Sequence, residues 1–157
     1  MDGNLAIRSY YKISEVLEAA LLSNNITKTV TIGDVSDVDL GKQTIFPLAH
    51  FIVNSVTSAE QTLTYNITVL VMDIKDTSKS EETDKFRKNT DEQDILNTQF
   101  SVLNNLMQKL RFGTLSTDGY KLTNDPTCEP FVDRFENNLA GWNADLEIEM
   151  PNDLNIC

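Results

Sequence analysis

Basic side chains are scarce in this chain. Thirteen Lys and Arg stand against 24 Asp and Glu, for a formal net charge of −11. A surface of that sign repels phosphate, which argues against nucleic-acid reading unless the few cations cluster. Histidine is scarcer still, with His50 as the only one in 157 residues. It lies inside an apolar run, where a sheet-facing imidazole is the ordinary outcome and a catalytic base the exception. Cysteine occurs twice, at Cys128 and Cys157. The two are far apart with no second Cys or His beside either, so they do not spell a metal site, and reduced thiols are expected. No apolar run approaches the roughly 18 residues of a membrane span. Met1-Asp2-Gly3-Asn4 has no basic stretch leading into an apolar one, so no signal peptide is expected. A phosphate loop ending in Lys-Ser/Thr and a G-x-S-x-G elbow are both missing.

What is present is ordinary globular material, 40% hydrophobic and 24% charged. One domain over residues 1–157 follows from that length, with a flexible loop over 75–90 where Phe86 is the sole large apolar residue. Ile13, Val16, Leu17, Ala20 and Leu21 form a single helical stripe, and Ser23-Asn24-Asn25 ends it. Lys28 to Ile32 reads as a short strand. The segment from Gly33 to Lys42 is loop by composition. Ile45 to Val56 and Leu63 to Ile74 are rich in β-branched and aromatic residues around a polar turn, a long β-hairpin. Leu70, Met72 and Ile74 make the second face of that later strand apolar, so one end of it is expected to be covered on both sides.

Thr90-Asp91-Glu92-Gln93 has the form of a capping box opening a second helix to about Arg111. Its stripe is Leu96, Phe100, Leu103, Met107 and Leu110, widened by Ile95, Val102 and Leu106. A weaker strand is expected around Tyr120 to Leu122. Cys128 to Glu136 leads through a turn, Asn137 to Gly141, into Trp142 to Met150, where apolar and polar residues alternate strictly. The fold class expected is α+β: a mostly antiparallel sheet of about five strands, two packed helices and a long projecting β-hairpin.

Catalytic templates fit poorly. Asp34, Asp37 and Asp39 resemble part of a calcium loop, but the spacing departs from the EF-hand pattern. Asp73-Ile74-Lys75 ends a long strand as the acidic-x-Lys group of metal-dependent nucleases does, with Glu60 or Glu18 needed as a second ligand. Glu147 and Glu149 share a strand face and read as its wet side. No catalytic residue, cofactor or metal is assigned, and the chain is expected not to be an enzyme.

The element order is similar to that of the tail-completion proteins of tailed bacteriophages, the tail terminators and related neck proteins. The residues that carry the resemblance are Ile13 to Leu22, Ile45 to Ile74, Ile95 to Leu110 and Trp142 to Met150, with Cys128 to Trp142 similar to the endings of phage virion proteins. The resemblance implies a structural virion protein, assembled in the host cytoplasm. It would form a homo-oligomeric ring, hexameric or alternatively dodecameric, against portal or connector and tail proteins. DNA would pass through the lumen unbound, and no membrane would be involved. The second strand of the hairpin, Leu63 to Ile74, would span roughly 40 Å at about 3.3 Å per residue, too long for the body of a small domain. From that length and polarity the overhang is expected to contact the next copy through Phe51, Val53, Tyr65, Ile67 and Val69. Asp34, Asp37 and Asp39 would form a rim or channel lining. A head–tail adaptor of a short-tailed phage is the alternative within that class. A metal-dependent nuclease using Asp73 and Lys75, and a binding module that docks its hairpin on one partner, are the alternatives outside it.

Overall fold

In the computed structural model, which describes residues 9–34, 45–75, 92–134 and 139–152 (backbone alone at 133–134), the first element is helix α1, Ser9–Leu22. Ile13, Leu17, Ala20 and Leu21 are its buried stripe. Asn24 ends it with its side chain: Nδ2 donates to Leu21 O at 2.6 Å, and Oδ1 accepts from the amides of Ile26 and Thr27 at 3.0 and 2.9 Å. A helix end leaves its last carbonyls and the following amides without partners, and one Asn serves both.

The strands are β1 (Thr29–Ile32), β2 (Leu48–Ser58), β3 (Thr62–Ile74), β4 (Lys121–Leu122), β5 (Glu129–Arg134) and β6 (Leu139–Pro151). Helix α2 is Glu92–Arg111, and a single turn, α3, is Thr114–Thr117. The capping box at Thr90 and Asp91 lies outside the described residues. Sheet order is β1-β2-β3-β6-β4, with β5 also on β6. The fold is α+β as expected, but the sheet has six strands and is mixed: β1 runs parallel to β2, while the other pairings are antiparallel. The parallel pair arises because the chain between Ile32 and Leu48 returns to the starting end before β2 begins.

The hairpin is long, 11 and 13 residues, but it does not project. β3 is paired with β6 from Thr62↔Pro151 to Ile74↔Leu139. Leu139, Ala140 and Gly141, expected in a turn, belong to the strand. A Cβ at Gly141 would overlap the Val71 carbonyl, so the absent side chain is what lets β6 lie along β3 there. The same strand that alternates so clearly in the sequence is therefore the back of the supposed arm.

Both helices pack on one face of the sheet. Phe51, Tyr65, Ile67, Val69, Val71, Leu146 and Ile148 meet Leu17 and Leu21 of α1 and Val102, Leu103, Leu106 and Leu110 of α2 in one core. Each such side chain contributes roughly 1.5–3 kcal/mol by leaving water. The buried face of α2 includes Gln99 but not Phe100, which is 39% exposed, so the helix is rotated from the stripe read in the sequence. The opposite sheet face divides in two. Near the start of β2 it is apolar, with Phe46, Leu48, Leu70, Met72, Phe131 and Leu139 buried together. Towards the hairpin tip it is polar. There Asn54 Nδ2 donates to Thr68 Oγ1 at 2.7 Å, whose hydroxyl donates to Asp145 Oδ1 at 2.6 Å.

Candidate functional site

Phe51, Tyr65, Ile67 and Val69, expected to meet a second copy, are at most 2% exposed and lie in the chain's own core. Val53 is half-buried against the same core. The burial of Tyr65, Ile67 and Val69 follows from the full-length pairing with β6: once β3 is an inner strand, its helix-side residues face α1 and α2, and Phe51, opposite Val69 on β2, joins the same core. The hydroxyl of Tyr65 lies 2.6 Å from Ser9 Oγ, under the first turn of α1. Phe51, Tyr65, Ile67 and Val69 are thus enclosed within the chain's own core, and Val53 is partly so.

What the hairpin does offer is an edge. β1 pairs with β2 only from Leu48 to Phe51. Gly33 N adds one bond, to Phe51 O at 3.1 Å. From there to Ser58 no described residue pairs with the outer side of β2, and Asn54 to Ser58 are exposed, Val56 by 44%. A bulge at Asn54, between Val53↔Ile67 and Ser55↔Asn66, starts this open run. Between Leu48 and Ala59 there is no Asp, Glu, Lys, Arg or Pro. Charges and prolines are the usual means of keeping an edge from pairing, and here the bulge stands without them. The sequence does not single this stretch out, since 61–72 and 95–108 are equally free of charge; the edge is defined by the strand order.

The other side of the sheet is finished differently. β5 covers β6 from Leu139 to Asn143, and β4 covers Ile148 and Glu149. Asn124 fills the gap between them. Its Nδ2 donates to Asp145 O at 3.1 Å, and its Oδ1 accepts from Glu147 N at 3.0 Å. Trp142 anchors β6 to α2 by donating Nε1 to Leu96 O at 2.7 Å, with its ring 5.2 Å from that of Phe100.

His50 is 1% exposed and faces the second side of the sheet. Nδ1 lies 2.7 Å from Thr31 Oγ1, and Nε2 lies 2.6 Å from the Gly33 carbonyl. Burial holds this imidazole below its ordinary value, against the hydrogen bond to Gly33 and the charge of Asp34, which favour the proton.

The nuclease constellation does not assemble among the described residues. Asp73 accepts from the Ile74 amide at 2.8 Å, and the buried Lys75 ammonium turns to Glu92, 3.5 Å away at the start of α2. Glu60 is at the hairpin tip, with most of β3 between it and Asp73, roughly 40 Å at about 3.3 Å per residue. Glu18 is exposed on α1. No group of three His, Cys, Asp or Glu side chains that could share a metal ion occurs among the described residues. Burial pushes the half-buried Cys128 thiol up, away from the thiolate a nucleophile needs, though Arg111 opposes the shift. Cys128 is a free thiol, and Cys157 lies outside the described residues. Asp34 is exposed, while Asp37, Asp39 and the loop over 76–90 fall outside the described residues.

No protein-family model matches the chain, and no curated protein matches it as a relative.

Proposed function

We propose that this chain is a structural virion protein that assembles with copies of itself into a ring at the head–tail neck or the tail end, as a tail-terminator or tail-completion component. The observation that carries this reading is the uncharged run of β2 from Asn54 to Ser58, which no strand among the described residues covers on its outer side. An edge of that kind accepts an extended strand through main-chain hydrogen bonds, and a ring supplies one from each neighbour. The contact differs from the one the sequence suggested: the edge of the hairpin takes the place of its faces. The net charge of −11 supports a lumen along which DNA slides without sticking. The partners implied are portal or connector and tail proteins on the two sides of the ring.

Sedimentation and light scattering of the purified chain, alone and mixed with the neck proteins of its own virion, test this. A ring of six or twelve subunits is expected, and Val56→Lys in the open run is expected to abolish it. A chain that stays monomeric in both settings overturns the reading and favours a binding module.

A further inference from the structure

The helices leave a cleft of their own. Where α2 ends, Gly113 turns the chain into α3. A Cβ there would come within 2.9 Å of Lys109 Cα, so the missing side chain is what permits so tight a corner. α1 passes beside this corner without closing on it, and a cleft of about 270 Å³ lies between them. Val16, Ala19 and Ala20 of α1 and Leu115 of α3 give it apolar walls. Ser23, just past α1, and Lys109, in the last turn of α2, also line it, and Lys109 is its only charged residue among the described ones. Glu15 and Glu18, the acids of α1, are not part of the lining.

A lysine in the last turn of a helix ordinarily serves that helix's own carbonyls. This one crosses to α1 instead: Lys109 Nζ donates to Ser23 Oγ at 2.6 Å. The Ser23 hydroxyl spends its own proton on Ala20 O, 2.7 Å away. It therefore receives one ammonium proton and offers nothing in return, which leaves the other two for water or an anion. Lys12, Lys75 and Arg111 each have a carboxylate partner, at 3.8, 3.5 and 3.5 Å. Lys28 and Lys121 are exposed. Lys109 is half-buried, lines a cleft and forms no ion pair among the described residues.

We propose that this cleft binds a monoanionic amphiphile, an unbranched alkyl chain ending in one negative group. The chain lies along Val16, Ala19, Ala20 and Leu115, and the charged end meets the Lys109 ammonium. Apolar walls favour the alkyl part by removing its surface and theirs from water. A single cation matches a single negative charge. An ammonium is a point charge without the fork of a guanidinium, so a carboxylate and a sulfate serve equally. At roughly 30 Å³ for a group the size of a water, the cleft admits about nine non-hydrogen atoms, a chain of about eight carbons. The site does not depend on ring assembly.

Titration with octanoate, octyl sulfate and octanol, followed by amide NMR shifts and calorimetry, tests this. Octanoate and octyl sulfate should shift the amides of Ala19, Ala20, Ser23, Lys109 and Leu115 and saturate at one molecule per chain. From hexanoate to octanoate the affinity should rise about three- to fourfold per methylene. Octanol should bind at least about tenfold more weakly than octanoate, as for the loss of one charge-assisted contact. Lys109→Gln should bring octanoate down to the level of octanol and leave octanol unchanged. Ala19→Phe, on the exposed outer wall, should block all three while the urea midpoint stays where it was. Acetate binding as well as octanoate leaves only a surface cation and overturns the site. Octanol binding as well as octanoate removes the role of Lys109 and overturns it too. Unsaturable shifts spread over the exposed Tyr10, Tyr11 and Phe112 mean adsorption, and no site.

Discussion

The two margins of the sheet are finished by opposite means. On β6 the chain returns twice, as β5 and β4, and Asn124 bonds the backbone between them. That margin also carries Asp145, Glu147 and Glu149. On β2 a four-residue strand covers the first part, and from Asn54 to Ser58 nothing described pairs with it. An unpaired strand edge is a pairing template unless something blocks it. Among the described residues, one margin is closed by three devices and the other keeps an uncharged, unpaired run.

The largest effect expected from breaking this arrangement is on the closed side. Gly141→Ala places a Cβ against the Val71 carbonyl and the Met72 Cα, both backbone, so β6 must move away from β3. A loss of about 3 kcal/mol in urea unfolding is expected, as for strong overpacking. Asn124→Ala comes next. It leaves the Asp145 carbonyl and the Glu147 amide to water, for about 1 kcal/mol by the same measurement. Acid sharpens the contrast more gently. His50 binds its proton more weakly folded than unfolded, so its contribution is fully present above the ordinary value of 6.5 and is lost as pH falls through the lowered folded value. Stability followed from neutral pH downward should decline over that window, and His50→Gln should flatten that part of the curve. Val56→Lys on the open side should change the unfolding of the isolated chain by no more than about 0.5 kcal/mol. It should nevertheless prevent assembly, since a charge on the edge opposes strand addition.

Much of the fold was legible before the structure. The α1 stripe, the two long strands, the doubly covered end of β3 and the alternation of β6 all appear in spacing, because period 3.6 and period 2 are local properties. The faces chosen by Leu70 and Met72 could be read because a strand apolar on both sides has to be covered on both. The overhang could not. Length alone made the hairpin seem too long for its body, yet β6 is equally long and lies along it, and no local pattern pairs residue 62 with residue 151. The rotation of α2 that buries Gln99 and leaves Phe100 beside Trp142 is likewise a matter of which neighbour arrives, not of the helix itself.

The candidate site was not legible in the sequence, where 61–72 and 95–108 lack charge as well. The absence of charge from Leu48 to Ala59 stands in the sequence. Which side of β2 meets β3, and that β1 stops at Phe51, does not. Apolar surplus along the hairpin does not mean exposed surface: Tyr65, Ile67 and Val69 on the inner strand β3 and Phe51 on β2 enter the core under the helices.

The sequence by itself determined the element types, the acidic surface and the poverty of reactive side chains, since each follows from composition or from periodicity within one segment. The tertiary structure alone decided the strand order, the parallel β1, the burial of His50 between Thr31 and Gly33, and which margin has an unpaired run among the described residues. Those depend on contacts between residues far apart in the chain. Their partners are selected when the whole core closes at once, and no single stretch encodes that choice.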